Sequence, residues 1–240
     1  MALKKIKDAR WYNFLHEWGD LLDEQWILLM PAPYLYLMLQ NRVDPQGNMI
    51  STSARGAWMG NRGQLHDQGK HILRPFKLKA WLICLLEFKG RHRQVMAPNR
   101  YTELFFIDEA TAFSAGHRPC FECRRADYNR FKSLWLKGNP EYGFNEKTSF
   151  QKIDEVLHRE RISPSRSKVT FTAPIQNLPD GTFIQIEGQP YLLANKIIYH
   201  WTPAGYEKGI PQPPDIRVEV LTPKSTVSAF RAGYMPQMGV

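Results

Sequence analysis

Two thiols separated by two residues, Cys120 and Cys123, are the most chemically informative feature of this chain of 240 residues. They follow Gly116, His117, Arg118 and Pro119 and precede Arg124 and Arg125. Two thiolates from one tight turn can share a metal ion, and they supply half of a tetrahedral zinc site, so the other ligands must come from distant sequence. A Cys-x-x-Cys pair at a helix start can also run thiol–disulfide exchange, with the helix dipole and Arg118, Arg124 and Arg125 lowering a thiol pKa. Zinc is preferred, because the residues before 108 do not show the βαβ order of a thioredoxin-like domain. Cys84, inside the apolar run Trp81, Leu82, Ile83, Leu85 and Leu86, reads first as a small buried hydrophobe and second as a third ligand.

The stretch from Asp108 to Arg125 resembles the zinc-binding module of Ada-type alkylation-repair proteins, where a helix ending in Ala-Gly precedes Arg-Pro-Cys-x-x-Cys. The matching positions are Glu109, Ala110, Ala115, Gly116, Arg118, Pro119, Cys120, Cys123 and Arg124. In those modules the remaining metal ligands lie upstream, so the resemblance implies His66 and His71 here; His117, beside the thiols in sequence, reads better as an outer donor than as a ligand. The upstream cysteine that accepts a methyl group in the repair proteins is missing, so methyl transfer onto this protein is not expected.

A second feature is the loop from Ser53 to Asp67, where three glycines and the arginines Arg55 and Arg62 surround Trp58 and Asn61. Such loops let backbone amides approach an anion while arginine adds paired donors. The loop fits neither the P-loop nor the dinucleotide fingerprint. Together with Arg74, Arg91, Arg93, Arg100, Arg118, Arg124 and Arg125 it predicts a basic nucleic-acid surface around the zinc, with Trp58 or Tyr101 available to stack on a base. Catalysis requires acids near that surface. Asp67, Glu103 and Asp108 are the candidates, either for metal-assisted hydrolysis or for removal of a flipped base. Each also has an ordinary role open to it, Asp108 as a helix cap above all.

The elements that would position these groups are legible in outline. Apolar spacing predicts an amphipathic helix over 8–30 and a loop-rich region over 40–69. A basic hairpin over 79–96 follows, then a strand at 101–107 and a helix from Asp108 to Ala115 stopped by Gly116. Further helices are expected over 124–137 and 146–161, short strands at 168–173, 182–187, 190–199 and 216–221, and a closing helix over 222–232. The result is an α+β protein with an N-terminal amphipathic helix, a central zinc-stabilised α/β-hairpin region and a mainly β C-terminal part. A boundary in Ser163–Ser167 separates a helical, zinc-binding region, 1–165, from a β-rich region, 166–240, packed on it.

Composition narrows the function classes. The net charge of +9 favours polyanionic partners, DNA foremost. No apolar run reaches the length of a membrane span, and the first residues do not read as a secretion signal, so a cytoplasmic protein is expected. The expectation is a zinc-binding basic protein that binds DNA and processes it as a nuclease or glycosylase type of hydrolase. The alternatives are a non-catalytic structural or partner-binding protein and a thiol–disulfide redox protein.

Overall fold

The computed structural model describes residues 38–91 and 94–240, so the expected N-terminal helix lies outside the described residues. The described chain is a mixed α and β structure of two sheets and four α-helices. No helix among the described residues is long and apolar enough to cross a membrane.

The expected central α/β-hairpin region is overturned by the first sheet. Its strands are β1 (Gln40–Val43), β2 (Met49–Ser51), β3 (Trp58–Asn61), β4 (Leu82–Cys84), β5 (Leu104–Phe106) and β6 (Arg118–Pro119). They run in the order β2-β1-β5-β3-β4-β6, with β1/β5 and β4/β6 parallel and the remaining pairs antiparallel. Three of these strands lie inside the segment expected to be loop. Their mixed polar composition hides them, but pairing against apolar neighbours overrides weak local propensity. The hairpin over 79–96 fails for a related reason: β3 and β6 flank β4 on both sides, so no edge is left for the chain that follows. Gly60 is required where β3 crosses β5, because a Cβ there would overlap the Phe106 ring.

The second sheet is antiparallel throughout. It comprises β7 (Phe171–Pro174), β8 (Phe183–Ile186), β9 (Gln189–Ala194), β10 (Ile197–Thr202), β11 (Gly205–Tyr206), β12 (Ile210–Pro211) and β13 (Arg217–Val220). The run expected as one strand over 190–199 breaks at Asn195 and Lys196, whose φ values of 54° and 61° make a two-residue hairpin turn.

Helices α1 (Glu109–Ser114), α2 (Arg125–Gly138), α3 (Phe150–Arg161) and α4 (Lys224–Arg231) lie within the segments expected to be helical from capping residues, apolar spacing and Pro223. Tyr234, beyond α4, meets Phe113 of α1 and Phe131 of α2 edge to face at 5.2 and 5.3 Å, so residues after α4 fill the core beside the first sheet. Residues Leu39–Val240 accordingly form one compact unit. The loop at Ser163–Ser167 is a turn within it between α3 and β7.

Asp108 caps α1: one carboxylate oxygen accepts the Thr111 amide at 2.7 Å, and the other accepts the Tyr206 hydroxyl at 2.7 Å and the Gly239 amide at 3.0 Å. Losing the cap and leaving the tyrosine hydroxyl unpaired should cost Asp108→Ala about 2 kcal/mol in urea unfolding. A loss under about 0.5 kcal/mol would mean that the cap is replaced by water.

Candidate metal centre

The parallel pairing of β4 and β6 sets Leu82 opposite Arg118 and Ile83 opposite Pro119, and the Cys120 amide donates to the Ile83 carbonyl at 2.9 Å. The next residue on each strand is a cysteine, so register alone brings Cys84 beside Cys120. The chain then turns through Phe121 and Glu122 to Cys123, and the Arg124 amide closes the turn on the Cys120 carbonyl at 3.1 Å. The sulfur atoms of Cys84, Cys120 and Cys123 all lie within 4.8 Å of one another. Sulfurs about 2.3 Å from a tetrahedral ion stand about 3.8 Å apart, so this spacing suits one metal ion.

Backbone donors surround the cluster. The Glu122 amide donates to Cys120 Sγ at 3.4 Å, and the Leu85 amide to the Cys123 sulfur. Hydrogen bonds from the Cys123 and Cys84 thiols, aided by the Cys123 and Glu122 amides, hold Cys120 far below the usual thiol range although burial opposes this. The same Cys120 contact pushes Cys84 up. Amides aimed at sulfur stabilise thiolates, the form in which cysteine binds metal.

The cluster opens on a cavity of about 460 Å³ that Tyr101, Glu103, Phe105 and Arg91 also line. Glu103 is buried, and one of its oxygens accepts the Met96 amide at 2.8 Å. At the rim Arg91 pairs with Glu122 at 2.6 Å, both exposed.

Neither histidine assigned by the family likeness belongs to the cluster. His66 is buried with its two ring nitrogens on the Thr102 hydroxyl, 2.6 Å, and the Ala97 carbonyl, 3.2 Å. His71 is exposed and pairs with Asp67 at 3.2 Å within one turn. His117 is buried beside Arg62, and burial followed by that positive charge depresses its pKa. The third thiol is Cys84, the residue ranked behind the histidines on sequence. Its signal was its place at the end of an apolar run, but nothing local announces a parallel partner that begins at Arg118.

The expected carboxylates separate in the same way. Glu103 reaches the cysteine cavity, Asp67 serves its turn, and Asp108 is the cap of α1, its carboxyl raised by burial.

The expected basic surface is divided between the interior and solvent. Arg118 makes a bidentate pair with Asp154 at 3.0 and 2.7 Å and lies 4.2 Å from the Phe150 ring. Arg124 is buried between Glu109, 2.6 Å, and Asp127, 2.8 Å, over the ring of Trp58. Trp58 is occupied in turn, its indole donating to Gln237 at 2.9 Å. Arg62 is buried on Trp81, and Asn61 accepts the Gly63 amide at 2.7 Å. Arg55, Arg74, Arg91, Arg100 and Arg125 are exposed, Arg125 lying 3.8 Å over the Phe121 ring, and Tyr101 is half-buried. Arg93 lies outside the described residues.

No protein family, curated protein or solved structure matches this chain. The functional reading therefore rests on the chemistry of the site.

Proposed function

We propose that the three cysteines hold zinc and that this chain is a zinc-dependent hydrolase acting on DNA. The observation that carries the reading is the gathering of three thiols, and no fourth protein ligand among the described residues, at a cavity with a buried carboxylate. Structural zinc sites are closed by four protein ligands, whereas hydrolytic ones keep a position open. Zinc bound there supplies Lewis acidity. Glu103 is the residue placed to take and return a proton, with its orientation fixed by the Met96 amide. Arg91 at the rim and the neighbouring Arg100 and Arg125 supply cations for phosphates.

The buried pairing of Arg118 and Arg124 favours a second reading, in which the metal only fixes the meeting of β4, β6 and α2. Metal analysis combined with labelled single- and double-stranded DNA, with and without chelator, separates the two. The hydrolase reading expects strand cleavage or alkali-labile sites that disappear with chelator. It also expects Glu103→Gln to keep the zinc and to lose at least a hundredfold in rate, the scale of general acid–base catalysis. Zinc without any change in DNA leaves only the structural role.

The exposed cations make a separate prediction for DNA binding. Replacing Arg91, Arg100 and Arg125 together by glutamine should lower the salt slope of duplex binding by two to three, at about 0.9 per phosphate contact. An unchanged slope would remove these residues from the interface.

A further inference from the structure

A second cavity, of about 400 Å³, lies at the opposite end of β3 and β4 from the cysteines, beside Arg62 and Trp81. Among the described residues five cations line it, Arg62, Arg74, Arg161, Arg166 and Lys168, and no carboxylate does. Two of them are internal, with Arg62 1% and Arg161 2% exposed. Their guanidinium groups lie 3.9 and 4.0 Å from the ring of Trp81.

Among the described residues, the hydrogen-bond partners of Arg62, Arg161 and Lys168 carry no charge. Arg62 donates to the Gly47 carbonyl at 3.0 Å, the Pro75 carbonyl at 3.4 Å and the His117 imidazole at 3.1 Å. Arg161 donates to the carbonyls of Gly116 and Lys79 and contacts the His158 imidazole, and Lys168 donates to the Ser114 carbonyl. The nearest acids are engaged elsewhere: Asp44 accepts from Asn48, and Asp154 is held by Arg118. Arg62 Nη2 and Arg161 Nε are buried without a hydrogen-bond partner. Burial and mutual repulsion show in the basicity of the cluster: burial lowers Arg62 to about 9, and burial followed by the Arg62 charge lowers Lys168 to about 7.

A fold does not gather like charges away from water without an opposite charge to meet them, because desolvation and repulsion both oppose it. We propose that this cavity binds the phosphate of a phosphomonoester. Arginine forks match phosphate oxygens two at a time, and several cations suit a dianion better than a carboxylate with its single charge. The volume exceeds that of phosphate alone, leaving room for the group that it esterifies. Arg74 and Arg166, exposed at the rim, would meet the ligand first. The proposal is independent of the zinc reading and involves none of its residues.

The test is calorimetric titration with inorganic phosphate against chloride at constant ionic strength, then with a short 5′-phosphorylated oligonucleotide against its 5′-hydroxyl twin. The rim variant Arg74→Gln/Arg166→Gln is the main comparison, since neither residue is part of the core. Arg62→Met is the stronger perturbation, used only if circular dichroism shows that it folds. Phosphate should bind at least tenfold more tightly than chloride, and the rim variant should lose at least tenfold of that affinity. A 5′-phosphate advantage that vanishes in the variant would identify a nucleic-acid end as the source, and phosphate binding without that advantage would identify a small phosphoester. Phosphate no better than chloride, or a preference unchanged in the rim variant, would overturn the proposal.

Discussion

Protein grown with zinc should carry one equivalent of the metal per chain, and Cys84→Ser should retain less than a tenth of it. Cys84 is 7% exposed, at the end of a strand with neighbours on both sides, so serine fits its space while removing one of three sulfur ligands. Binding of structural zinc is worth about 10–16 kcal/mol in small zinc-dependent peptides, and in such sites metal affinity is folding free energy. Loss of one thiolate should therefore cost at least about 3 kcal/mol, and chelator should bring the wild type toward the midpoint of the variant. Cys123→Ser and Cys120→Ser should behave alike. Full zinc in Cys84→Ser would remove Cys84 from the ligands, and none in the wild type would leave the cysteines as packing residues or redox thiols.

The second large effect is expected at Arg118. Its pair with Asp154 is almost fully buried, the side chains 7% and 6% exposed. Removing one partner of a buried pair leaves an uncompensated charge, so Arg118→Met should lose about 3–5 kcal/mol. The double variant Arg118→Met/Asp154→Leu should recover most of that loss, because two apolar side chains leave no stranded charge. Urea unfolding of the three proteins measures both steps. Little effect of the single variant on stability, with weakened DNA binding at equal fold content, would return Arg118 to the surface role that its neighbourhood of cations suggested.

These two residues also show what was legible in the sequence. The local signals held: the spacing of Phe131 and Trp135 marked α2, and Asp108 with Gly116 marked the two ends of α1. The paired thiols pointed to a metal, and three converge. What failed was non-local. Cys84 acquires its place through a parallel pairing across 36 residues of chain, a distance no periodicity spans. Cations that look clustered in sequence divide by their partners, Arg118 going to Asp154 on α3 and Arg124 to Glu109 on α1, while Arg91 and Arg125 stay at the surface. The polar strands β1 to β3 were missed because neighbours hold them in the sheet more than their own composition does.

The pairing of Asp108 and Glu109 sets an order of events during synthesis. Glu109 accepts the Tyr234 hydroxyl at 3.1 Å and the Gln237 amide at 2.9 Å, and Asp108 accepts the Gly239 amide at 3.0 Å. Both carboxylates stand at the start of α1, yet these three partners are translated more than a hundred residues later. While the chain is being made, Glu109 has Arg124 and Asp108 has the Thr111 amide, but this corner of the core closes only after residue 239 has left the ribosome. Domains commonly fold from the N-terminal side as they emerge. Here residues 234–239 complete a corner of the core begun at residue 108, so a nascent chain from which they have not yet emerged should be readily cleaved around α1.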